Sequence, residues 1–299
     1  MQNKTKSSLA GQNAPTVALV NDTSLYSRHF GCQIVGQVYR EQFKRVGLDL
    51  VLSLPKVFDR ETFDTRLSEV DLIVVNAEGS IHHGRNFHLL ELAKHYPCVL
   101  LNGVFQENPS CDALSAFHMI TMRESLSCAE VKAAGVECRV VPDMIFASSL
   151  VWSFVKPEAQ YRLGVTDSVV KEYRGFGPFK KKILGDIVAH QHSPGEILQK
   201  LSSFETICAG RFHAVVLAAI LGIPFNAWES NTWKIKGMLE DMGMPECYHQ
   251  SRAKALQNPV CGDQKKASLY ARSAKLLIEG VFDDLKLIAE NHSSRNASK

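Results

Sequence analysis

The sequence predicts an α/β chain built on a doubly wound parallel sheet with a second unit after it, and three observations carry that prediction. Apolar runs of strand length alternate with helix-period segments over residues 16–141, the pattern of successive βαβ units. Chemistry-bearing residues fall at the C-terminal end of one run after another, the edge at which such sheets bind ligands. The length of 299 residues exceeds what one core usually fills and suits two units of roughly 150 residues each.

The elements follow in order. Thr16–Val20 is an apolar run closed by Asn21-Asp22-Thr23, a buried parallel strand and its polar loop. Ile34, Val35, Val38, Phe43 and Val46 give helical spacing from Cys32 to Val46, with Gly47 as the C-cap. Further strands are expected at Asp49–Leu54, Leu72–Asn76, Cys98–Asn102, Met119–Met122 and Arg139–Val141. Helices are expected at Glu61–Glu69, Asn86–His95 and Ser127–Ala134, the last closed by Gly135 and capped by Ser125 or Ser127. Residues 151–191 are less regular and include a short basic cluster, Lys180–Lys182, and the change of domain is placed within them. The expected organisation is a loose polar tail at residues 1–14, an N-terminal domain at 15–155 and a C-terminal domain at 156–299. In the second domain a helix is expected at Pro194–Ser203, a strand at Phe204–Ala209 and another at Pro224–Trp228. A helix over Asn231–Gly243, capped by Asn231 or Thr232, follows. The final amphipathic helix, Gln264–Ala289, is expected to pack back on a domain face, the N-terminal one being the candidate.

Composition excludes several classes. Hydrophobic content of 45% and charged content of 22% are ordinary for a globular protein, and a net charge of +3 is too small to argue for nucleic acid. No apolar run approaches the roughly 20 residues of a membrane span. The first residues lack the apolar middle of a signal peptide. The eight cysteines are scattered without a CxxC pair, so neither a zinc ribbon nor a thioredoxin-like motif is expected. Cys98, Cys138 and Cys208 sit inside apolar runs, where a reduced thiol behaves as a small hydrophobe. A reducing, cytoplasmic setting is the expectation, with peripheral attachment at an inner membrane compatible with it.

Four constellations lie at the strand ends. Gly210-Arg211-Phe212-His213 opens a helix, where unpaired backbone N–H groups and a partial positive charge favour an anion. Arg211 adds a permanently charged fork and His213 a group that exchanges a proton near neutrality; the alternative is an arginine tying down a neighbouring strand and a histidine packed in a turn. Glu78-Gly79-Ser80 follows a strand, with Glu78 as an acid, a base or an acceptor for a sugar hydroxyl and Gly79 letting a ligand approach the backbone. The alternative there is a helix-capping Glu78 beside solvated histidines, His82 and His83, which as neighbours are poorly placed to chelate one metal. Arg123 either faces the same cleft or pairs with Glu124 on the surface. Asn21 to Cys32 would line the same edge, with His29 as a substrate contact and Cys32 as packing; Asp143 either joins them or simply ends its strand. Ser230-Asn231-Thr232-Trp233-Lys234 would complete an anion cradle beside Arg211 and His213. No Walker or GxGxxG loop, GxSxG elbow or HExxH is present.

Taken in order, Glu78-Gly79-Ser80-Ile81-His82, Arg123-Glu124-Ser125-Leu126-Ser127, Val141-Pro142-Asp143, Gly210-Arg211-Phe212-His213 and Asn231-Thr232-Trp233-Lys234-Ile235 resemble the motifs of polysaccharide pyruvyltransferases over about Thr16 to Gly243. The loop from Asn21 to Gly31 departs from the Gly/Asn-rich first turn of that family. The resemblance implies two Rossmann-like domains in the GT-B arrangement of glycosyltransferases, with a ligand cleft between them. It implies transfer of the pyruvate unit of phosphoenolpyruvate, as a ketal, to a sugar hydroxyl of a surface polysaccharide or its lipid- or nucleotide-linked precursor. His213 would then be the acid, Glu78 would orient or deprotonate the acceptor, and Arg123 would clamp an anion. The expected substrate contacts are Arg211, Asn231, Thr232, Lys234, Gly79, Ser80, Asn21 and His29. No metal and no cofactor beyond phosphoenolpyruvate as donor is required. The same fold serves glycosyltransferases that use nucleotide-activated sugars, such as a CMP-sugar, and these form the alternative.

Overall fold

The computed structural model describes residues 14–78, 81–170, 186, 187, 190–257 and 262–296. Gly79, Ser80, the basic cluster, Cys261 and nearly all of the N-terminal tail lie outside these residues. The first sheet is built from β1 (Thr16–Val20), β2 (Asp49–Leu54), β3 (Leu72–Asn76), β5 (Cys98–Gly103), β7 (Met119–Met122) and β8 (Arg139–Val140), with a small separate pair of β4 (Ile81–His82) and β6 (Phe105–Gln106). Its strand order is β2-β1-β3-β5-β7-β8, and every pairing is parallel. The second sheet comprises β9 (Tyr161–Ser168), β10 (Asp186–Ile187), β11 (Phe204–Gly210), β12 (Phe225–Trp228) and β13 (Tyr248–His249), in the order β10-β9-β11-β12-β13, again all parallel. Two Rossmann-like sheets facing one another is the GT-B arrangement expected from the sequence.

Helices cover both faces, as parallel strands buried on two sides require. They are α1 (Phe30–Val46), α2 (Arg60–Glu69), α3 (Ser125–Ala133), α4 (Ser149–Trp152), α5 (Pro194–Ser202), α6 (Phe212–Leu221), α7 (Lys234–Asp241), α8 (Arg252–Gln257) and α9 (Gln264–Asn296). The period-2 alternation of the strands sorts the core. Val17, Leu19, Leu72 and Val74 face one cluster and Ala18, Val20, Ile73 and Val75 the other. The first of these clusters continues without a break into the second sheet through α1, α6 and α9. Apolar all round, α6 is buried at nearly every position, as a helix without a polar face must be. In α9, Phe282 packs its ring against Tyr39 and Phe43 of α1, at centroid distances of 5.9 and 5.4 Å. Arg45 holds the same helix through Asp283 at 2.9 Å.

Four expectations are corrected. Residues 86–95 form two short 3₁₀ turns, Phe87–Leu89 and Glu91–Lys94, rather than a helix; Asn86 enters at a left-handed φ of 61°, and Pro97 soon follows. Residues 161–168, within the stretch read as irregular, are the long strand β9, whose first half is exposed. The cap of α3 is Glu124, whose carboxylate accepts the Ser127 N–H at 2.9 Å, and not a serine. Finally, α7 starts at Lys234 with no side-chain cap, because Asn231 is taken by the Lys234 amine and Trp233 gives its N–H to Gln106 across the two domains.

Candidate active site

The C-terminal ends of β1, β3, β7 and β9 meet the loops after β11 and β12 around a cleft of about 230 Å³. Glu78, Arg123, Arg211, His213, Lys234 and His29, drawn from five separate loops, all line it, together with Thr23, Tyr26, Ser27, Cys32 and Ser230. Asn21 does not: it is fully buried, giving its amide to Asn76 O at 2.5 Å and receiving the Asn76 amide at 3.1 Å, so it ties β1 to β3. Asn231 is exposed and acts through Lys234, while Thr232 is buried behind the cleft with no partner for its hydroxyl. His82 and His83 lie off the cleft, the latter beside Glu107 at 3.2 Å.

Each side chain has a local reason for its place. Gly210 gives its N–H to Thr166 at 2.8 Å, and a Cβ there would run into the indole of Trp228, so only glycine lets that ring pack against the end of β11. Arg211 leaves that turn and is gripped by both oxygens of Asp167 from β9, with Nε at 2.9 Å from Oδ1 and Nη2 on Oδ2, the bidentate geometry a guanidinium favours. Arg123 pairs through Nη1 with the wholly buried Asp143 at 2.8 Å and stacks on the Phe212 ring at 4.6 Å. This overturns the surface pair with Glu124, since both residues are buried. The Nε of Arg123 finds no acceptor; a buried donor in that state costs free energy that a bound anion would recover.

His213 is the junction. Its Nε2 stands 3.5 Å from Glu78 Oε1 and 3.5 Å from Asp143 Oδ2, at the outer edge of hydrogen-bond reach, where such contacts tighten on substrate binding. On its other side the ring packs against the backbone of Gly31, where a Cβ would overlap it. Gly31→Ala is therefore expected to cost about 1–3 kcal/mol through overpacking and to displace the imidazole; an unchanged urea midpoint would refute the contact. Burial would raise the Asp143 carboxyl, yet His213 and Arg123 outweigh it and hold it well below the usual carboxylate range. Glu78 accepts from the Thr23 hydroxyl at 2.5 Å and from the Cys32 thiol at 3.4 Å. Burial first, then the Glu78 charge, pushes that thiol well up, so Cys32 stays protonated and is no nucleophile. His29 caps α1, its Nδ1 accepting the Gly31 N–H at 3.0 Å. Burial, then His213 and Arg211, hold its imidazole well below the ordinary value, so it faces the cleft as a neutral ring with its N–H at Nε2.

Lys234 is buried at the floor with its amine 2.8 Å from Asn231 Oδ1, and burial together with Arg123 lowers it to about 7. The amine is charged below that pH and free above it. Burial thus penalises the fold most below about pH 7, and the penalty is relieved as pH rises toward the unfolded amine's value. Anion binding has the opposite slope: the Kd for sulfate, whose charge is constant across this range, should rise roughly tenfold per pH unit above about 7, and Lys234→Arg should flatten it. A flat profile in the wild type would remove Lys234 from the anion site.

The residue missing from the sequence reading is Asp167, hidden in the segment read as irregular; Tyr26 falls within the Asn21 to Cys32 stretch expected at this edge, though without a role of its own. A run of Leu163-Gly164-Val165-Thr166-Asp167-Ser168, apolar and closing on a carboxylate and a hydroxyl, carries the same strand-end signal as Asn76-Ala77-Glu78.

The family model described as polysaccharide pyruvyl transferase matches residues 29–227 of the chain. No curated protein matches it. Among solved structures, an uncharacterised protein of Klebsiella pneumoniae is similar at 14% identity, over 80% of this chain and 94% of that one, with a TM-score of 0.55. A UDP-GlcNAc 2-epimerase from Methanocaldococcus jannaschii is similar at 11% identity, over 86% of this chain and 98% of that one, with a TM-score of 0.43. The first of these likenesses bears on the fold alone.

Proposed function

The chain belongs to the polysaccharide pyruvyl transferase family, a family of transferases, and from that membership and the cleft we propose that it moves the pyruvyl unit of phosphoenolpyruvate onto a saccharide acceptor as a ketal. The observation that carries this reading is His213 Nε2, set 3.5 Å from each of two carboxylates and beside Arg211 and Lys234. Ketal formation adds one proton to C3 of the enol, forms two bonds from acceptor oxygens to C2 and releases phosphate. Of the two hydroxyl protons lost, one balances the new methyl group and the other leaves with phosphate. The reaction therefore needs a proton carrier, a group to take protons from hydroxyls, and cations for the leaving phosphate. His213 supplies the first and Glu78, facing the acceptor side, the second. Arg211, Lys234 and the unsatisfied Nε of Arg123 supply the third. These side chains cover the chemistry without a further cofactor.

Among the described residues no helix is long and apolar enough to cross a membrane, and we place the reaction on polysaccharide precursors at the cytoplasmic side of an envelope. Incubation with phosphoenolpyruvate and a panel of lipid- and nucleotide-linked saccharides tests the reading by phosphate release and by mass gain of the acceptor. Phosphate release matched by a pyruvyl mass increment is expected. Turnover of a CMP- or UDP-sugar in place of phosphoenolpyruvate would replace the reading with a glycosyltransferase.

A further inference from the structure

Helix α9 is apolar on two sides. Ala271, Ala274, Ile278, Phe282 and Leu285 bury its inner face in the core, yet Leu269, Leu276, Leu277 and Leu287 on the outer face are 65%, 68%, 50% and 60% exposed. A lone exposed leucine is ordinary, but four along one helix face form the contiguous patch that marks an interface. At 3.6 residues per turn, Leu269, Leu276, Gly280 and Leu287 fall within about 40° of one line along the helix, over a length of about 27 Å.

Gly280 sits in mid-helix and is exposed, and among the described residues a Cβ there would meet nothing within 4 Å. Glycine weakens a helix interior relative to alanine, and its own surroundings give no reason for it here. On an apolar stripe it lets a neighbouring helix come close.

The stripe is complementary to itself. Leu269 and Leu287 are equidistant from Ile278, and so are Leu276 and Gly280. In two copies of the helix set antiparallel about a two-fold axis at Ile278, Leu269 of each meets Leu287 of the other, and Leu276 of each enters the gap over Gly280 of the other. This is the reciprocal pattern of an isologous interface. The charges agree with it. Lys265, Arg272, Asp283 and Glu290 share one flank of the stripe, and the same pairing sets Arg272 beside Asp283 of the second copy and Lys265 beside its Glu290. Each of these acids has a cation in its own chain, Arg45 at 2.9 Å and Lys286 at 3.8 Å, and a carboxylate accepts from more than one donor. A flank that mixes bases with acids suits a copy of itself better than an anionic lipid surface, which favours basic flanks. At its C-terminal end the stripe opens on a groove of about 700 Å³ lined in part by Phe117, Val136, Leu287 and Ile288, which gives Leu269 of the second copy a seat.

We propose that the outer face of α9 is a homodimer interface, in which two copies of the helix pack antiparallel about Ile278. None of these residues lines the catalytic cleft.

Sedimentation velocity of the full chain over a concentration series tests it, with a shift to twice the chain mass expected as concentration rises. Leu276→Asp and Gly280→Met should each raise the dimer Kd roughly tenfold or more, the scale of a lost anchor at the centre of an interface, while the Kd for sulfate in the cleft stays within about twofold. Chains carrying Leu269→Cys and chains carrying Leu287→Cys should crosslink when mixed and oxidised, above the wild-type background, and neither should do so alone. A wild type that stays monomeric across the series, a dimer indifferent to both variants, or crosslinking of either cysteine variant with itself, the mark of a parallel pair, would overturn the proposal. Monomers that float with anionic vesicles, and cease to do so in Leu276→Asp, would overturn it in favour of a lipid surface.

Discussion

Replacing His213 by Asn is expected to lower kcat roughly a thousandfold, within the range ascribed to a positioned acid or base, while leaving the Kd for phosphoenolpyruvate within a few-fold. The split follows from the division of labour in the cleft. Arg211 is braced by Asp167 and Lys234 by Asn231, so the anion keeps its clamp when the imidazole is gone. What is lost is the ring nitrogen set 3.5 Å from both Glu78 and Asp143. Asparagine keeps polarity at the site of the ring but has no group that gains or gives a proton near neutrality. The reaction run in deuterated water, with the new methyl group read by mass, reports on the same step: the wild type is expected to incorporate deuterium at that carbon, and the variant to do so at the reduced rate. A His213→Asn enzyme that retained kcat within tenfold would take the histidine out of proton transfer and return it to packing against Gly31.

Much of the frame was legible because parallel strands buried on both faces are written as short unbroken apolar runs. Thr16–Val20, Asp49–Leu54, Leu72–Asn76 and Met119–Met122 match the observed strands end to end. β9 escaped because its opening residues, Tyr161 to Leu163, face solvent, so only its second half reads as apolar. The cleft was legible at the level of which strand ends contribute, and Glu78, Arg123, Arg211, His213, Lys234 and His29 do converge there. What each charge touches was not legible. Pairing Arg211 with Asp167 and Arg123 with Asp143 spans 44 and 20 residues of chain, and such partners are chosen by sheet order rather than by local pattern. Asn21 illustrates the same limit from the other side: its polarity suggested a ligand contact, but its side chain is spent on Asn76 and on Tyr26.

Asp143→Asn should cost about 3–5 kcal/mol of stability, the scale for stranding one member of a buried ion pair. Arg123 is 1% exposed and its carboxylate partner wholly buried, so the guanidinium left behind has no water to retreat to. Urea unfolding at neutral pH measures the loss. Its pH dependence gives a second handle with a definite sign. The Asp143 carboxyl is held below its unfolded value by His213 and Arg123, so its contribution is fully present above the unfolded carboxyl range, near pH 4. The contribution is lost as pH falls from there toward the folded value. The variant should therefore lose that part of the acid sensitivity along with the stability. Replacing both partners, as Arg123→Met with Asp143→Leu, should recover most of the unfolding free energy, because a well-packed apolar pair avoids the desolvation of two charges. Activity should not return with it. A double variant that folds as firmly as the wild type but transfers nothing would show that this buried pair is kept for the cleft, to aim Arg123 and steady His213, at no gain to the fold. Recovery of turnover alongside stability would instead make the pair a piece of core architecture that happens to lie beneath the site.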